Sequence, residues 1–235
     1  MKLWLYYLFV FFIIILARYF LIAGGTYWLF YLSENISFAK QSLKKSPSRK
    51  LIQKDITLSI IATLALAICS ALVMWSYSLG ATRLYSSIND YGRWYLVVSF
   101  LGVIFLQDVS YYFFHRGFHH PLIFEWLHRG HHQSKHPTPW TSFALDFPEA
   151  LLQGLFMIAV IFVIPLHFTV LSLLLITMTI WSLVNHLGFE LFPSFPDHWL
   201  GKWLVSSDHH SFHHLNYSRH YGLYFTFWDR LFGTN

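Results

Sequence analysis

Long apolar runs alternate with short polar ones along this chain. Leu3 to Leu32 is almost wholly apolar, interrupted by Arg18 and by Gly24-Gly25. A helix needs about 20 apolar residues to cross a hydrocarbon core. This run is longer, so it has length to tilt, to kink at the glycines or to extend past the membrane. It is too long for a cleaved signal peptide, and no small-x-small cleavage site follows it. Arg18 must either snorkel or pair inside a bundle. Ser33 to Asp55 is polar, with a breaker at Ser46-Pro47-Ser48. Ile56 to Leu79 reads as a second span, Ala81 to Arg93 as a short connection, and Trp94 to Phe114 as a third span anchored by Trp94 and Tyr95. His115 to Phe147 is polar, and Pro137 and Pro139 forbid a continuous helix there. Ala150 to Ile164 is apolar but short; Phe168 to Leu187 is a full-length span. Gly188 to Asn235 mixes aromatic and polar residues, which suits the membrane surface. The pattern predicts an all-α integral membrane bundle of four or five spans with a histidine-rich helical cap facing the cytosol. Residues 1–93 form its N-terminal helices and basic loop. Residues 94–235 complete a single structural unit with them.

Composition strengthens the membrane reading. The chain is 55% hydrophobic and 11% charged, against about 25% charged in soluble domains. The formal charge is +5, and its placement matters more than its sign. Lys40, Lys44, Lys45, Arg49, Lys50 and Lys54 sit together beside apolar spans. That is a positive-inside loop rather than a nucleic-acid surface, so no nucleic-acid partner is expected. With this loop in the cytoplasm, the second span leaves and the third returns, which brings His115 to His136 back to the cytoplasmic side. A further excursion ends at His186, with His209 to His214 on the same side; only His167 falls on the far side. The same order puts the N-terminus outside. The one cysteine, Cys69, lies in an apolar run, so no disulfide framework exists within the chain and an inert buried thiol is expected.

The candidate chemistry is in the fifteen histidines, none of which precedes His115. His115 and His119 are four apart; His128, His131 and His132 follow at i, i+3 and i+4; His210, His213 and His214 repeat the spacing. These offsets stack imidazoles on one helical face. Neutral imidazole suits iron, zinc, copper and nickel. His115, His119, His128, His131, His132, His186, His210, His213 and His214 are too many for one ion, since a structural site needs about four ligands. Two ions sharing the set is the simpler count. His120, next to His119, points about 100° away on a helix, so the spacing favours His119. His136, His209 and His220 also break the spacing. Asp108, seven residues before His115, faces the same way on a helix. It is a candidate to orient a histidine through its outer ring N–H, to bind metal directly, or to pair with Arg116 as a buried acid. Glu190, one turn after His186, carries the same readings.

At these residues the sequence resembles the fatty acid hydroxylase superfamily, which includes the sterol desaturases. The matching elements are Asp108-x-x-Tyr111-Tyr112-x-x-His115-Arg116-x-x-His119, Trp126-x-His128-x-x-His131-His132, Asn185-His186 with Gly188 and Glu190, His210-x-x-His213-His214, and Trp228-Asp229-Arg230-Leu231-Phe232-Gly233-Thr234. The histidine boxes are shared with membrane desaturases and alkane hydroxylases, but the last element is more specific. The resemblance implies a catalytic unit over 94–235 and a non-haem di-iron centre on the nine histidines above, with zinc possible in purified protein. It implies O2 as co-substrate and hydroxylation or desaturation of a sterol, isoprenoid or fatty acyl lipid. Two departures stand out: many relatives have His where this chain has Asp146, in Asp146-Phe147-Pro148-Glu149, and Asn where it has His220, in His220-Tyr221-Gly222.

Lipid C–H bonds are inert to acids and bases, so a redox metal pair must carry that chemistry. Tyr111, Tyr112, Trp126, Trp140 and Phe143 are candidate linings of a substrate cleft, although any single one reads more readily as ordinary aromatic packing or an interface belt. The chain has no span left over for a haem-bearing electron carrier, so a separate reductase or a ferredoxin- or cytochrome-like donor is expected. The C-terminus shows no receptor-read retrieval sequence. A bacterial inner membrane is the favoured location, with the endoplasmic reticulum second. The competing functional class is a membrane metal-binding or transport protein. A pathway through the bilayer needs polar groups inside the spans, where only Arg18 and Asp108 lie. An inactive relative holding structural zinc is the third reading.

Overall fold

The structure is a computed structural model that describes residues 2–32, 48–192, 194–195 and 197–235. Lys40, Lys44, Lys45 and the Ser46-Pro47 part of the expected breaker lie outside the described residues. Four helices are long and apolar enough to cross a membrane among the described residues: α1 (Lys2–Leu32), α2 (Arg49–Ser78), α3 (Arg93–Phe118) and α5 (Phe168–Asn185). Between the last two lies the shorter α4 (Phe147–Val163), which starts behind Asp146 with Pro148 in its first turn. The final long element is α6 (Ser207–Leu215), the histidine helix. Its N-cap Ser206 and the ring of His209 form a capping box, so His209 is occupied in starting the helix.

The lipid-facing sides carry the apolar surplus seen in the sequence. Leu21, Phe9, Val97, Leu101 and Phe105 are all exposed, a loss in water of about 25 cal/mol per Å² that a bilayer removes. The inner face of α2 is instead built from small residues: Ser59, Ala62, Thr63, Ala65, Ala67, Cys69 and Ala71 are all buried. Small faces let helices approach closely. A Cβ on Gly154 of α4 would stand 2.5 Å from the Cys69 sulfur, so that crossing leaves no room for a side chain. Cys69 is buried and free. In α1 the glycines produce no break; the helix loosens into π turns at Phe20–Gly24 and Trp28–Leu32 and continues. Gly24 there receives the edge of Trp140.

Two hairpins, α2–α3 and α4–α5, are joined at one end. Their connections pair as parallel two-residue strands, β1 (Leu84–Tyr85) and β2 (Leu166–His167). A core of Val73, Val103, Val160, Ile161, Val170 and Leu174 packs beside them. His167 is fixed at this end by the Ser86 carbonyl and the Thr169 amide. The chain ends that leave α3 and α5 at the opposite end carry His115 and His186.

Candidate metal centre

Four segments deliver imidazoles to one place. α3 supplies His115 in its last turn and His119 just beyond its end. A one-turn helix, Phe124–Leu127, and a 3-10 turn, His131–Gln133, supply His128, His131 and His132. α5 ends at His186, and α6 gives His210, His213 and His214. They separate into two groups, His115, His119, His128, His132 and His213 in one, and His131, His186, His210 and His214 in the other. Within each group the candidate ligand atoms all lie within 4.8 Å of one another. The groups abut, with the His132 and His214 rings 4.7 Å apart between centroids.

The inner nitrogens face each other. His115 Nε2 lies 3.0 Å from His128 Nε2, and His119 Nε2 is 3.0 Å from His213 Nε2. In the second group His186 Nε2 lies 3.3 Å from His131 Nε2 and 3.0 Å from His210 Nε2, which is 3.2 Å from His214 Nε2. The outer nitrogens decide the tautomers. His131 Nδ1 donates to the Ala144 carbonyl at 3.0 Å and His186 Nδ1 to the Ser182 carbonyl at 2.6 Å. Carbonyls only accept, so both Nδ1 atoms hold the proton and both Nε2 atoms are bare. Burial keeps the rings neutral by pushing His131 down to about 4 and His186 to about 3. Two bare lone pairs at 3.3 Å repel, and no tautomer relieves them. A cation bonded at about 2.0–2.1 Å to each would place such nitrogens roughly 3.0–3.4 Å apart, so the donor set fits a metal. In the first group His115 Nδ1 donates to the Tyr221 carbonyl at 3.0 Å, and His128 Nδ1 pairs at 2.8 Å with Glu149 Oε2, a carboxyl that burial pushes well up; with the proton on His128 Nδ1 the conflict of bare Nε2 atoms repeats. Burial holds His119 down to about 3 and pulls His128, His132, His210, His213 and His214 the same way. Both ring nitrogens of His132 are buried with no protein partner among the described residues.

The C-terminal segment, residues 217–234, folds into a hook that aims two of the carbonyls. Asp229 accepts from the Tyr221 amide at 2.8 Å, the Gly222 amide at 2.9 Å and the Thr234 hydroxyl at 2.8 Å. Asp108 accepts from the Tyr224 amide at 2.7 Å, the Phe225 amide at 3.2 Å and the Trp228 indole at 2.9 Å. The hook thereby presents the Tyr221 carbonyl to His115 and the Arg219 carbonyl to His213 Nδ1, the latter at 2.6 Å. A Cβ on Gly222 would stand 2.6 Å from the Phe225 carbonyl.

Several expectations change against this geometry. Neither Asp108 nor Glu190 touches an imidazole: Asp108 holds hook amides, and Glu190 accepts from the Asp208 amide at 3.5 Å. Among the described residues the carboxylate that reaches a ring of the two groups is Glu149, in the first turn of α4, which the spacing did not single out. Its sequence signals are its place in Asp146-Phe147-Pro148-Glu149 and an acid opening an otherwise apolar helix. Asp55 was also missed. It sits in α2 and accepts from the Ser134 hydroxyl at 2.7 Å and the Thr141 hydroxyl at 2.7 Å, tying α2 to the turns that carry His131 and His132. Asp146 holds the Gly130 amide at 2.7 Å. Of the candidate cleft linings, Tyr111 packs on His115 with centroids 5.1 Å apart. Tyr112 shares a hydrogen bond with Thr234 inside the hook, and Trp126 is 77% exposed, so neither lines a cleft by the groups. Trp140 and Phe143 pack on Tyr19 of α1. His120 is exposed and accepts from the Leu122 amide, and His136 is exposed.

A family model described as fatty acid hydroxylase matches residues 100–234. The chain belongs to the fatty acid hydroxylase family. Human lathosterol oxidase is 31% identical to this family member over 217 residues, covering 89% of this chain and 71% of the relative. A Delta(7)-sterol 5(6)-desaturase of Gibberella zeae is 30% identical over 156 residues, covering 66% and 47%. One of Leptosphaeria maculans is 29% identical over 221 residues, covering 92% and 57%. No solved structure matches. This fatty acid hydroxylase family member is a multi-pass membrane oxidoreductase that modifies lipid, with histidine clusters suited to metal.

Proposed function

We propose that the nine histidines hold two iron ions, one per group, and that the chain hydroxylates or desaturates a sterol-like lipid using O2 and electrons from a separate donor. The observation that carries this reading is the pair of abutting all-histidine groups with inward lone pairs, at one end of an apolar bundle. Such an iron pair supplies the redox chemistry that activates O2 and breaks an inert C–H bond. The rest falls to the protein. Glu149 holds the His128 Nδ1 proton and so raises the basicity of its Nε2. The hook and the Ala144 and Ser182 carbonyls hold four more rings in one tautomer. The buried histidines exclude water, and Tyr111 places an aromatic wall against His115. The sterol class rests on the lathosterol and Delta(7)-sterol relatives.

Cytoplasmic placement of the groups is supported by Lys54, which ends the basic loop and donates to Gln133 Oε1 at 3.1 Å, one residue from His132. A bacterial inner membrane is the proposed location. The test is purified protein with iron restored, reductant and O2, incubated with sterol, fatty acyl and carotenoid lipids. An oxygenated or newly unsaturated product, lost in His131→Ala, is expected. No product from any class overturns the reading.

A further inference from the structure

The C-terminal hook is attached to the part of α3 that faces lipid. The Trp228 ring lies 6.0 Å from Phe105 and 6.5 Å from Phe113 between centroids, and Phe232 lies 5.5 Å from Phe113. Phe105 and Phe113 are both exposed on α3. Their depth follows from the helix rise. Trp94 anchors the far end of α3, and the 21 residues from Trp94 to His115 climb about 31 Å. That matches a hydrocarbon core of about 30 Å. Phe105 is then close to mid-membrane. Asp108, which accepts from the Trp228 indole at 2.9 Å, lies about 10 Å below His115. A hook resting on the membrane surface would not reach these residues.

The outer face of the hook is apolar: Phe227, Leu231 and Phe232 are exposed, Leu231 by 58%. Its one cation there is drawn to an edge, since Arg230 donates to the Lys202 carbonyl and lies 4.8 Å over the Trp203 ring. A cation snorkelling beside an interfacial indole has this arrangement. Irregular backbone survives at membrane depth only where protein supplies its hydrogen-bond partners. Asp108 and Asp229, both buried, take four amides, an indole and a hydroxyl of the hook. The Thr226 amide donates to the Trp203 carbonyl at 3.0 Å. Amides that faced water would need no such carboxylates.

We propose that the hook is a re-entrant element seated among the acyl chains of the leaflet on the histidine side, and that this seating holds the Tyr221 and Arg219 carbonyls on His115 and His213. The occupant of the apolar face is lipid, because that face is continuous with exposed rings of a span. The inference does not depend on which reaction the centre performs.

The test is collision-probe spin-label measurement on the full chain in phospholipid nanodiscs. Nitroxides are attached one at a time through Phe227→Cys, Leu231→Cys, Leu101→Cys and Lys135→Cys, in a Cys69→Ala background. Leu101 is exposed within α3, and Lys135 is exposed beside the histidine turns. Labels at Phe227 and Leu231 should follow the one at Leu101, with oxygen access relative to a water-soluble nickel chelate severalfold above that at Lys135. Nickel access equal to that at Lys135 would put the hook in water. Exclusion of both probes would put a second copy or another protein over the face. Either result overturns the proposal. The second half is read as iron content after dialysis against graded chelator. Leu231→Glu should release iron at lower chelator concentration than wild type, and the milder Leu231→Gln should do so to a lesser degree, which keeps the test where the first variant does not fold. Iron retention equal to wild type in a folded variant would overturn the link between seating and ligand carbonyls.

Discussion

Five of the nine rings have an outer nitrogen restrained by the protein, and among the described residues His128 is the one of these held by a side chain, Glu149. Losing such a partner commonly weakens a metal site roughly 10–100-fold. Glu149→Ala should therefore release metal at lower chelator concentration than wild type, with Glu149→Gln between them, read as metal content after dialysis against graded chelator. Identical retention in all three would refute the assignment. His220 poses the opposite case. Its φ of 58° is left-handed, a conformation that Asn tolerates better than most side chains, so His220→Asn should leave thermal stability unchanged or slightly raised. Gly130→Ala should lower it, because a Cβ there runs into the Asp146 carboxylate. At this scale the convergence of histidines was legible where helical spacing registers in sequence, at His115 with His119 and at His210, His213 and His214; His128, His131 and His132 lie instead in and around short turns, and His186 has no spaced partner. Glu149 and Asp108 were not read correctly, because their partners are a ring 21 residues away and the amides of Tyr224 and Phe225, over a hundred positions on.

Elements are held in register by buried carboxylates at their ends. Asp55 joins α2 to the turns at 131–143 through two hydroxyls. Hydrogen bonds to charged groups contribute about 1.5–3 kcal/mol each, so Asp55→Ala should lower the unfolding temperature and loosen His131 and His132 together. Thermal unfolding and metal content of the same preparation check this; a fall in stability with full metal retention would show that the clamp does not serve the site. The spans themselves were readable from apolar run length, and Pro137 and Pro139 did break the helix, into the 3-10 turn Pro139–Phe143. The continuation of α1 through Gly24-Gly25 was left open by the sequence, and the contact made there, the edge of Trp140 against Gly24, joins residues over a hundred positions apart. Nor was the β1–β2 pairing, which uses only two residues a side.

The whole molecule brings nine imidazoles together, eight of them buried and His119 half-buried, so metal and folding should be linked. Removing metal should lower the unfolding temperature, and restoring it should raise the temperature with concentration. The pH dependence of the stripped protein has a definite sign. Burial depresses His131 from 6.5 to about 4 and His119 and His186 from 6.5 to about 3. The unfolded chain then binds more protons between those values and 6.5, so the stability contribution is complete above pH 6.5 and is lost as pH falls toward 4 and below. Thermal melts of stripped protein from pH 7.5 to 5 should fall steadily on the acid side; a flat profile would mean that the rings are not buried neutral. The fold legible in the sequence, an all-α bundle with the histidines at one end, is the part set by apolar length and charge placement. The division of nine histidines into five and four was not legible, because it depends on how α6 crosses the end of α5.

Four of the restraining acceptors, the carbonyls of Ala144, Ser182, Arg219 and Tyr221, belong to the main chain. No codon change deletes a main-chain oxygen. Tolerance around the centre should therefore be governed by chain path rather than residue identity. In a mutational scan scored by product formation, Arg219 should accept many replacements. Removing or inserting one residue between 218 and 222 should abolish activity, since it moves two acceptors at once. If single-residue deletions there score no worse than substitutions at Arg219, the hook is not what aims His115 and His213.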